Sequence, residues 1–306
     1  MRKFLHQENG FVEHEKWLPY CWVNIECPDH DDVSFLLDDL SIPMDFLESI
    51  ADIDENPRVE KDGDWKLTIL RIPLKVKKGS IPYVTVPIGI ITNCEILVTV
   101  CYHRTELISD FIDHTRAKGI TIDNAEDFIL RIMHSASYWY LRYLREINHT
   151  VTDSEAQLEK SIRNEDLLIL QHLQKTLVYF TTSIRGNEDL MVRLTHVYGN
   201  EFDNDLKEDV EIEFRQADTT STIYSDILNN ILDAFASVIS NNVNDIMKKM
   251  TGVSFVLMIP TLIASFYGMN VAISYGNSPW ALYIIVAASL LLSVALYIIM
   301  RKAKWL

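Results

Sequence analysis

No acidic residue occurs after Asp245, and positions 250–300 hold no charged side chain of either sign. In a chain whose charged fraction is 23%, a wholly water-soluble fold does not leave so long a segment uncharged, so that class is excluded. Bases are scarce as well, 28 Lys and Arg against 43 Asp and Glu, for a net charge of −15. A nucleic-acid binder that relies on phosphate contacts needs the opposite balance. Glycine numbers only ten, no Gly-rich phosphate loop occurs, and none of the nine histidines pairs with a serine or cysteine in a nucleophile context. ATP-driven pumping and enzymatic catalysis therefore both lack their parts. The four cysteines, Cys21, Cys27, Cys94 and Cys101, have no metal-ligand spacing and sit in β-like runs, which fits reduced, buried thiols in a cytoplasmic domain. Polar residues follow Met1-Arg2-Lys3-Phe4-Leu5 at once, so the apolar segment of a signal peptide is missing. The first 245 residues are expected to stay on the side where they are made.

What is present divides the chain sharply. Lys248, Lys249, Arg301, Lys302 and Lys304 are the only charges after position 245, which leaves −20 on residues 1–245. Alternating apolar and β-branched residues predict strands over 20–27, 65–76, 82–92 and 94–102, and helical spacing predicts short helices over 31–40 and 44–51. Residues 1–120 thus read as an α/β domain. Residues 121–204 read as a helical section, with helices over 125–162 and 164–198, the second broken near Arg185-Gly186-Asn187. The acids from Glu201 to Glu213 read as a solvated helix start. Asp29-His30-Asp31-Asp32 resembles a metal cluster but immediately precedes a helix, and reads as an N-cap with favourable acids.

Nothing between positions 205 and 270 stops a helix, since Gly252 and Pro260 only bend one inside a membrane. At ~1.5 Å per residue this is a rod of roughly 100 Å. Its parts are a stalk over 205–249 and a first span over 250–270; an external loop over 271–279, a second span over 280–300 and a basic tail over 301–306 follow. All five bases flank the spans on one side, which places both termini inside, and Tyr267, Tyr275, Trp280 and Trp305 mark the water interfaces.

Alternating steps of three and four along the long helix collect Asp226, Asn230, Asp233, Ser237, Ser240, Asn244, Met247, Thr251, Ser254, Met258, Thr261, Ser265 and Gly268 on one face. Every member is polar, small or a methionine. Small residues and hydroxyls also let membrane helices pack closely. The stripe as a whole reads as a pore lining, because it continues through Asn244, Asp233 and Asp226 below the membrane, where packing alone favours apolar residues. Two spans cannot enclose a channel, so several subunits must share one axis.

The helix ends on Tyr267-Gly268-Met269-Asn270, and here the sequence resembles the CorA family of magnesium channels, marked by a Gly-Met-Asn triplet closing the first of two C-terminal spans. The resemblance also covers Ser240-Asn241-Asn242-Val243-Asn244-Asp245-Ile246-Met247, the pair Met258 and Thr261, Pro57-Arg58-Val59-Glu60 and the ending Lys304-Trp305-Leu306. It implies a funnel-shaped homopentamer in the cell's inner membrane that passes Mg2+ and is gated by it, with no organic cofactor. Gly268, Met269 and Asn270 would form the external selectivity filter, and Asn244, Met247, Met258 and Thr261 would line the conduit. Neutral amide and carbonyl oxygens suit a hydrated Mg2+, which gives up its water reluctantly.

Four departures or rivals accompany this reading. Many relatives carry an acid just after the triplet, whereas Val271-Ala272-Ile273-Ser274-Tyr275-Gly276-Asn277-Ser278-Pro279 carries none. A zinc-transporting branch shares Gly-Met-Asn, and Co2+ or Ni2+ would be further cargoes, although the stripe offers oxygen ligands and no His or Cys. Asp233 sits where the resemblance implies a regulatory inter-subunit Mg2+ site, yet the hairpin over 73–83 expected to supply its partner acid is basic, at Lys75, Lys77 and Lys78. A solvated stalk acid is the other account of Asp233. From a different class, a membrane-anchored structural or signalling protein would use the stalk as a coiled coil and conduct nothing.

Overall fold

The computed structural model describes all residues except 9, 77, 78, 80, 123, 161, 162, 199–201, 270–279, 304 and 306. It divides into two units, Met1–Asn230 and Ile231–Leu306. The first is built on a seven-stranded sheet with β1 (Arg2–Gln7), β2 (Phe11–His14), β3 (Trp22–Glu26), β4 (Arg58–Asp62), β5 (Trp65–Lys75), β6 (Tyr83–Thr92) and β7 (Leu97–Cys101), in the order β2-β1-β3-β7-β6-β5-β4. All pairings are antiparallel except β3 with β7. The four strands expected from alternation are β3, β5, β6 and β7. Three more, β1, β2 and β4, were not anticipated; they carry the charged and polar side chains typical of strands at or near a sheet edge.

Helices cover both faces, which is why the central strands are almost continuously buried rather than alternating. On one side lie α1 (His30–Ser34), a π-helical turn (Phe35–Asp39) and α2 (Met44–Ala51), where the spacing predicts one helix over 31–40. Leu36, Phe46, Leu47 and Ile50 join Val23, Ile25, Leu67, Ile69, Val98 and Val100 in this core. Asp29 accepts from the Asp32 amide at 2.9 Å while Asp32 accepts from the Asp29 amide at 3.3 Å, a reciprocal cap that accounts for the acidic cluster. On the other side lie α3 (Glu106–Lys118), which the sequence reading passed over, α4 (Ala125–Lys160) and α5 (Asn164–Tyr198). Trp22 is fully buried there against Phe11, Phe111 and Phe128, and its indole N–H donates to Thr99, which in turn donates to Asn24.

The expectation of buried cysteines holds for Cys21 and Cys101 only, because Cys27 and Cys94 are exposed in the turns that end β3 and precede β7. Burial pushes the Cys101 thiol up to about 12, which leaves it a protonated, inert core group.

The predicted break at Arg185-Gly186-Asn187 is absent: α5 runs through it without interruption. Gly186 is there for contact, not for a turn, since a Cβ on it would lie 2.9 Å from Pro57 Cγ. Asn187 is fully buried and completes the sheet. The pairing of β4 with β5 stops at Ile69, so the next outward-facing peptide of β5 has no strand beside it. Asn187 replaces that strand: its Oδ1 accepts from the Arg71 amide at 3.0 Å and its Nδ2 donates to the Arg71 carbonyl at 2.7 Å. The Tyr140 hydroxyl donates to the same carbonyl at 3.0 Å. Asn187→Ala leaves the buried Arg71 amide without an acceptor and weakens its carbonyl's pairing. Thermal unfolding of the full-length protein should show a loss of about 2–4 kcal/mol, whereas a loss below ~1 kcal/mol would mean water replaces the side chain.

Candidate ion pathway

The long helix α6 (Asn204–Tyr267) belongs to the first unit up to Asn230 and to the second beyond it. It starts on Asp203, whose carboxylate accepts from the Asp205 and Leu206 amides at 3.0 and 3.4 Å, as the acid-rich start predicts. The first unit fastens its early turns by a polar cluster that no periodicity indicated. Glu213 accepts from the Ser137 hydroxyl and pairs with the His134 imidazole at 3.3 Å. Burial pushes the Glu213 carboxyl up, but the bonds from His134 and Ser137 outweigh it and hold the group below the usual carboxylate range.

In the second unit α6 continues from Ile231 and α7 (Ala281–Lys302) follows. These two are the helices long and apolar enough to cross a membrane among the described residues. Along α6 from position 250 onward, the covered positions are Gly252, Val256, Ile259, Pro260 and Ile263, a single stripe at helical spacing; on α7 the most buried are Ser289 and Ser293. At about 100° per residue, Met258 and Thr261 lie about 200° and 140° round the helix from Val256, on its far side. The structure therefore places the predicted stripe where nothing among the described residues covers it: Asn244, Met247, Thr251, Ser254, Met258, Thr261 and Ser265 are all exposed.

Two hydroxyls on this face are oriented. Ser254 Oγ donates to the Met250 carbonyl at 2.9 Å and Thr261 Oγ1 to the Leu257 carbonyl at 3.0 Å. With their protons committed to the helix, both oxygens present lone pairs outward, where they can accept from the water shell of a cation. The methionines between them are soft and apolar and hold no hard cation. At the end of the helix, the Gly268 amide donates to the Ala264 carbonyl at 2.9 Å and the Met269 amide to the Phe266 carbonyl at 3.4 Å. The remaining carbonyls of the last turn, with the negative end of the helix dipole, lie beside Gly268 and Met269 and favour a cation there. Asn270, the third residue of the predicted filter, and the whole loop 271–279 lie outside the described residues.

Asp233 is exposed on α6, and no group of three His, Cys, Asp or Glu among the described residues is placed to hold a metal ion. The basic hairpin expected near it is occupied within the first unit. Lys75 pairs with Glu146 at 2.6 Å and the Tyr83 hydroxyl donates to the same carboxylate at 2.9 Å. Burial pushes the Glu146 carboxyl up, but the bonds from Lys75 and Tyr83 together with the charges of Lys75 and Arg142 outweigh it and hold the group below the usual carboxylate range. Lys77 and Lys78 lie outside the described residues.

Comparison with known proteins agrees with this geometry. The profile of the family described as "CorA-like Mg2+ transporter protein" matches residues 19–302. The cobalt/magnesium transport protein CorA of Methanocaldococcus jannaschii is 25% identical over 292 residues, covering 93% of this chain and 91% of that protein. The protein of the same name from Thermotoga maritima is 23% identical over 278 residues, covering 85% and 76%. The complete structure of the CorA magnesium transporter from Methanocaldococcus jannaschii superposes with a TM-score of 0.84 at 22% identity, covering 100% of this chain and 99% of that one. That likeness extends to the order of parts, an α/β domain, a long helix and an apolar C-terminal helix. Because the match runs from the sheet through both apolar helices, the chain belongs to the family of CorA-like Mg2+ transporters.

Proposed function

We propose that this divalent cation transporter is a homopentameric channel that admits Mg2+ passively into the cytoplasm across the inner membrane, with both termini inside. The observation that carries the proposal is the uncovered stripe of α6, polar but for two methionines from Asn244 to Ser265, on the side of the helix away from the residues that are covered. Five copies turning this face to a common axis would make a wet conduit whose oxygens contact the ion through its water. Gly268, Met269 and Asn270 would form the outer ring, where the helix C-termini attract the ion and amide and carbonyl groups grip its hydration shell. Met247 and Met258 would be the apolar constrictions that close by dewetting. The stripe offers no His or Cys, which supports Mg2+ over Zn2+; the names of the two relatives make Co2+ the other cargo to test.

Asp233 is the proposed internal Mg2+ sensor. One exposed carboxylate holds Mg2+ poorly, so the remaining protein ligands must come from a neighbouring subunit, and the ion would then bind the closed arrangement better than the open one. No buried acid or base among the described residues of the spans is placed to relay protons, and a dication gains about 4.6 kcal/mol per 100 mV of inside-negative potential.

Three measurements on proteoliposomes containing only this protein test the proposal. Mg2+ uptake should rise with an imposed inside-negative potassium diffusion potential and need neither ATP nor a pH gradient; a strict need for a proton gradient would overturn the channel reading. Asn270→Ala or Gly268→Ala should reduce uptake at least ~100-fold with assembly intact, and normal uptake in either variant would remove the ring assignment. Asp233→Ala should raise the internal Mg2+ concentration for half-maximal inhibition by about ten-fold, the coupling expected of one regulatory site. An unchanged inhibition curve would make Asp233 a solvated stalk acid.

A further inference from the structure

Pro260 stands inside α6, within its uncharged last part, and a proline has no amide proton to give the carbonyl four residues before it. That carbonyl belongs to Val256. In hydrocarbon an unpaired carbonyl is costly, because no lipid group can donate to it. The structure supplies a donor from the other apolar helix: Ser293 Oγ lies 3.3 Å from the Val256 carbonyl oxygen. Ser293 is only 7% exposed. The bond is a departure from local habit, since Ser254, Thr261 and Ser289 each donate to a carbonyl of their own helix, at 2.9, 3.0 and 2.9 Å. Only Ser293 among these hydroxyls forgoes that bond and crosses to the neighbouring helix, at the carbonyl that proline leaves without its helical partner. Gly252, one turn before Val256, is buried on the same covered face.

We infer that Ser293 is a positioning residue for ion flow: its hydroxyl replaces the amide proton that Pro260 lacks and so sets the bend of the helix that carries the stripe. The inference rests on the channel reading above. Pro260 lies between Met258 and Thr261, so the bend fixes how those two residues are presented to the axis. Without the clip, the Val256 carbonyl must take a donor from elsewhere, and the helix on either side of Pro260 shifts to reach it. Ser293 touches no ion in this scheme; it acts through the backbone of α6.

Four full-length proteins test this as a cycle: wild type, Ser293→Ala, Pro260→Ala and the double variant. Pro260→Ala restores the amide that pairs with the Val256 carbonyl and makes Ser293 redundant. In proteoliposomes, Ser293→Ala should lower the initial Mg2+ uptake rate at least about three-fold when Pro260 is present, the weight of one hydrogen bond between membrane helices, and should change nothing in the Pro260→Ala background. Thermal unfolding in lipid nanodiscs should follow the same pattern, with a lower midpoint for Ser293→Ala only beside Pro260. If Pro260→Ala fails to assemble, Pro260→Leu restores the same amide. No loss in either measurement, or equal losses in both backgrounds, would overturn the inference. If the wild type carries no ion, the channel reading fails, and the unfolding cycle still decides whether Ser293 replaces the missing amide.

Discussion

A peptide group removed from water must find its hydrogen-bond partner inside the protein, and this requirement governs both units of the chain. Most groups are paired by regular ladders. The decisive places are those where a ladder stops. In the sheet, β4 ends early and the Arg71 peptide is completed by the Asn187 carboxamide, with Tyr140 adding a second donor to the carbonyl. In the apolar pair, the α6 ladder is interrupted by Pro260 and the Val256 carbonyl is met by Ser293. The solvent differs but the device is the same, a short polar side chain from the next helix standing in for a missing backbone group. In each case the replacement also ties two elements together, α5 to β5 and α7 to α6, so a local deficit becomes a tertiary constraint.

A second constraint is the cost of charge in lipid, about 2.5–3.5 kcal/mol for Asp, Lys or Arg at the centre of a spanning helix. It explains why positions 250–300 are uncharged and why the flanking residues are Lys248, Lys249, Arg301 and Lys302. Those bases need an aqueous, preferably anionic lipid surface, while −20 of net charge stays with residues 1–245. The same partition favours cation movement in the proposed orientation. In the proposed channel a dication would pass from a neutral lining to the side that holds the −20 of residues 1–245, and that charge would favour its exit. Residues 271–279 hold no carboxylate, and in the proposed channel the helix C-termini at Gly268 would be left as the attracting feature.

How much of this was legible in the sequence follows from how each feature writes itself into residue order. Burial on two faces makes a strand an unbroken apolar run, so β3, β5, β6 and β7 were visible, whereas β1, β2 and β4 carry charges such as Arg2, Lys3, Arg58 and Lys61 and drop below that signal. The α6 and α7 helices were visible because lipid tolerates so few alternatives. Gly186 misled because a glycine in a helix is ambiguous: here it admits Pro57, a contact 129 residues away in sequence that no local pattern encodes. The stripe of α6 could be read from its 3.5-residue period, but the Ser293 bond could not be read from either helix alone. A hint was present nonetheless, since a proline at 260 implies an unpaired carbonyl at 256 and hence a donor on whichever helix lies beside it.

One chain of this kind is incomplete in a specific way. Leu257, Leu262 and Phe266 on α6 are 63%, 55% and 60% exposed, and most of α7 is equally bare, surfaces that lipid or another apolar helix satisfies at no cost. The face bearing Thr251, Ser254, Thr261 and Ser265 is just as uncovered but has the opposite need. Ser254 and Thr261 donate their protons to their own helix, but against hydrocarbon the outward lone pairs of these hydroxyl oxygens find no donor, a cost of at most about 1–3 kcal/mol for each. α7 cannot relieve it, because its Ser293 is already engaged with Val256 on another side of α6. Further copies of the same helix can, if each turns its stripe toward a shared water-filled axis and its apolar flanks toward its neighbours. The contact between neighbours is then one flank of α6 against a different flank of the next, a heterologous interface, and such an interface closes into a ring when its rotation divides the circle. In the proposed channel the requirement that hides the stripe from lipid would be the same one that makes a conduit, so assembly and permeation would be two consequences of a single patterned face.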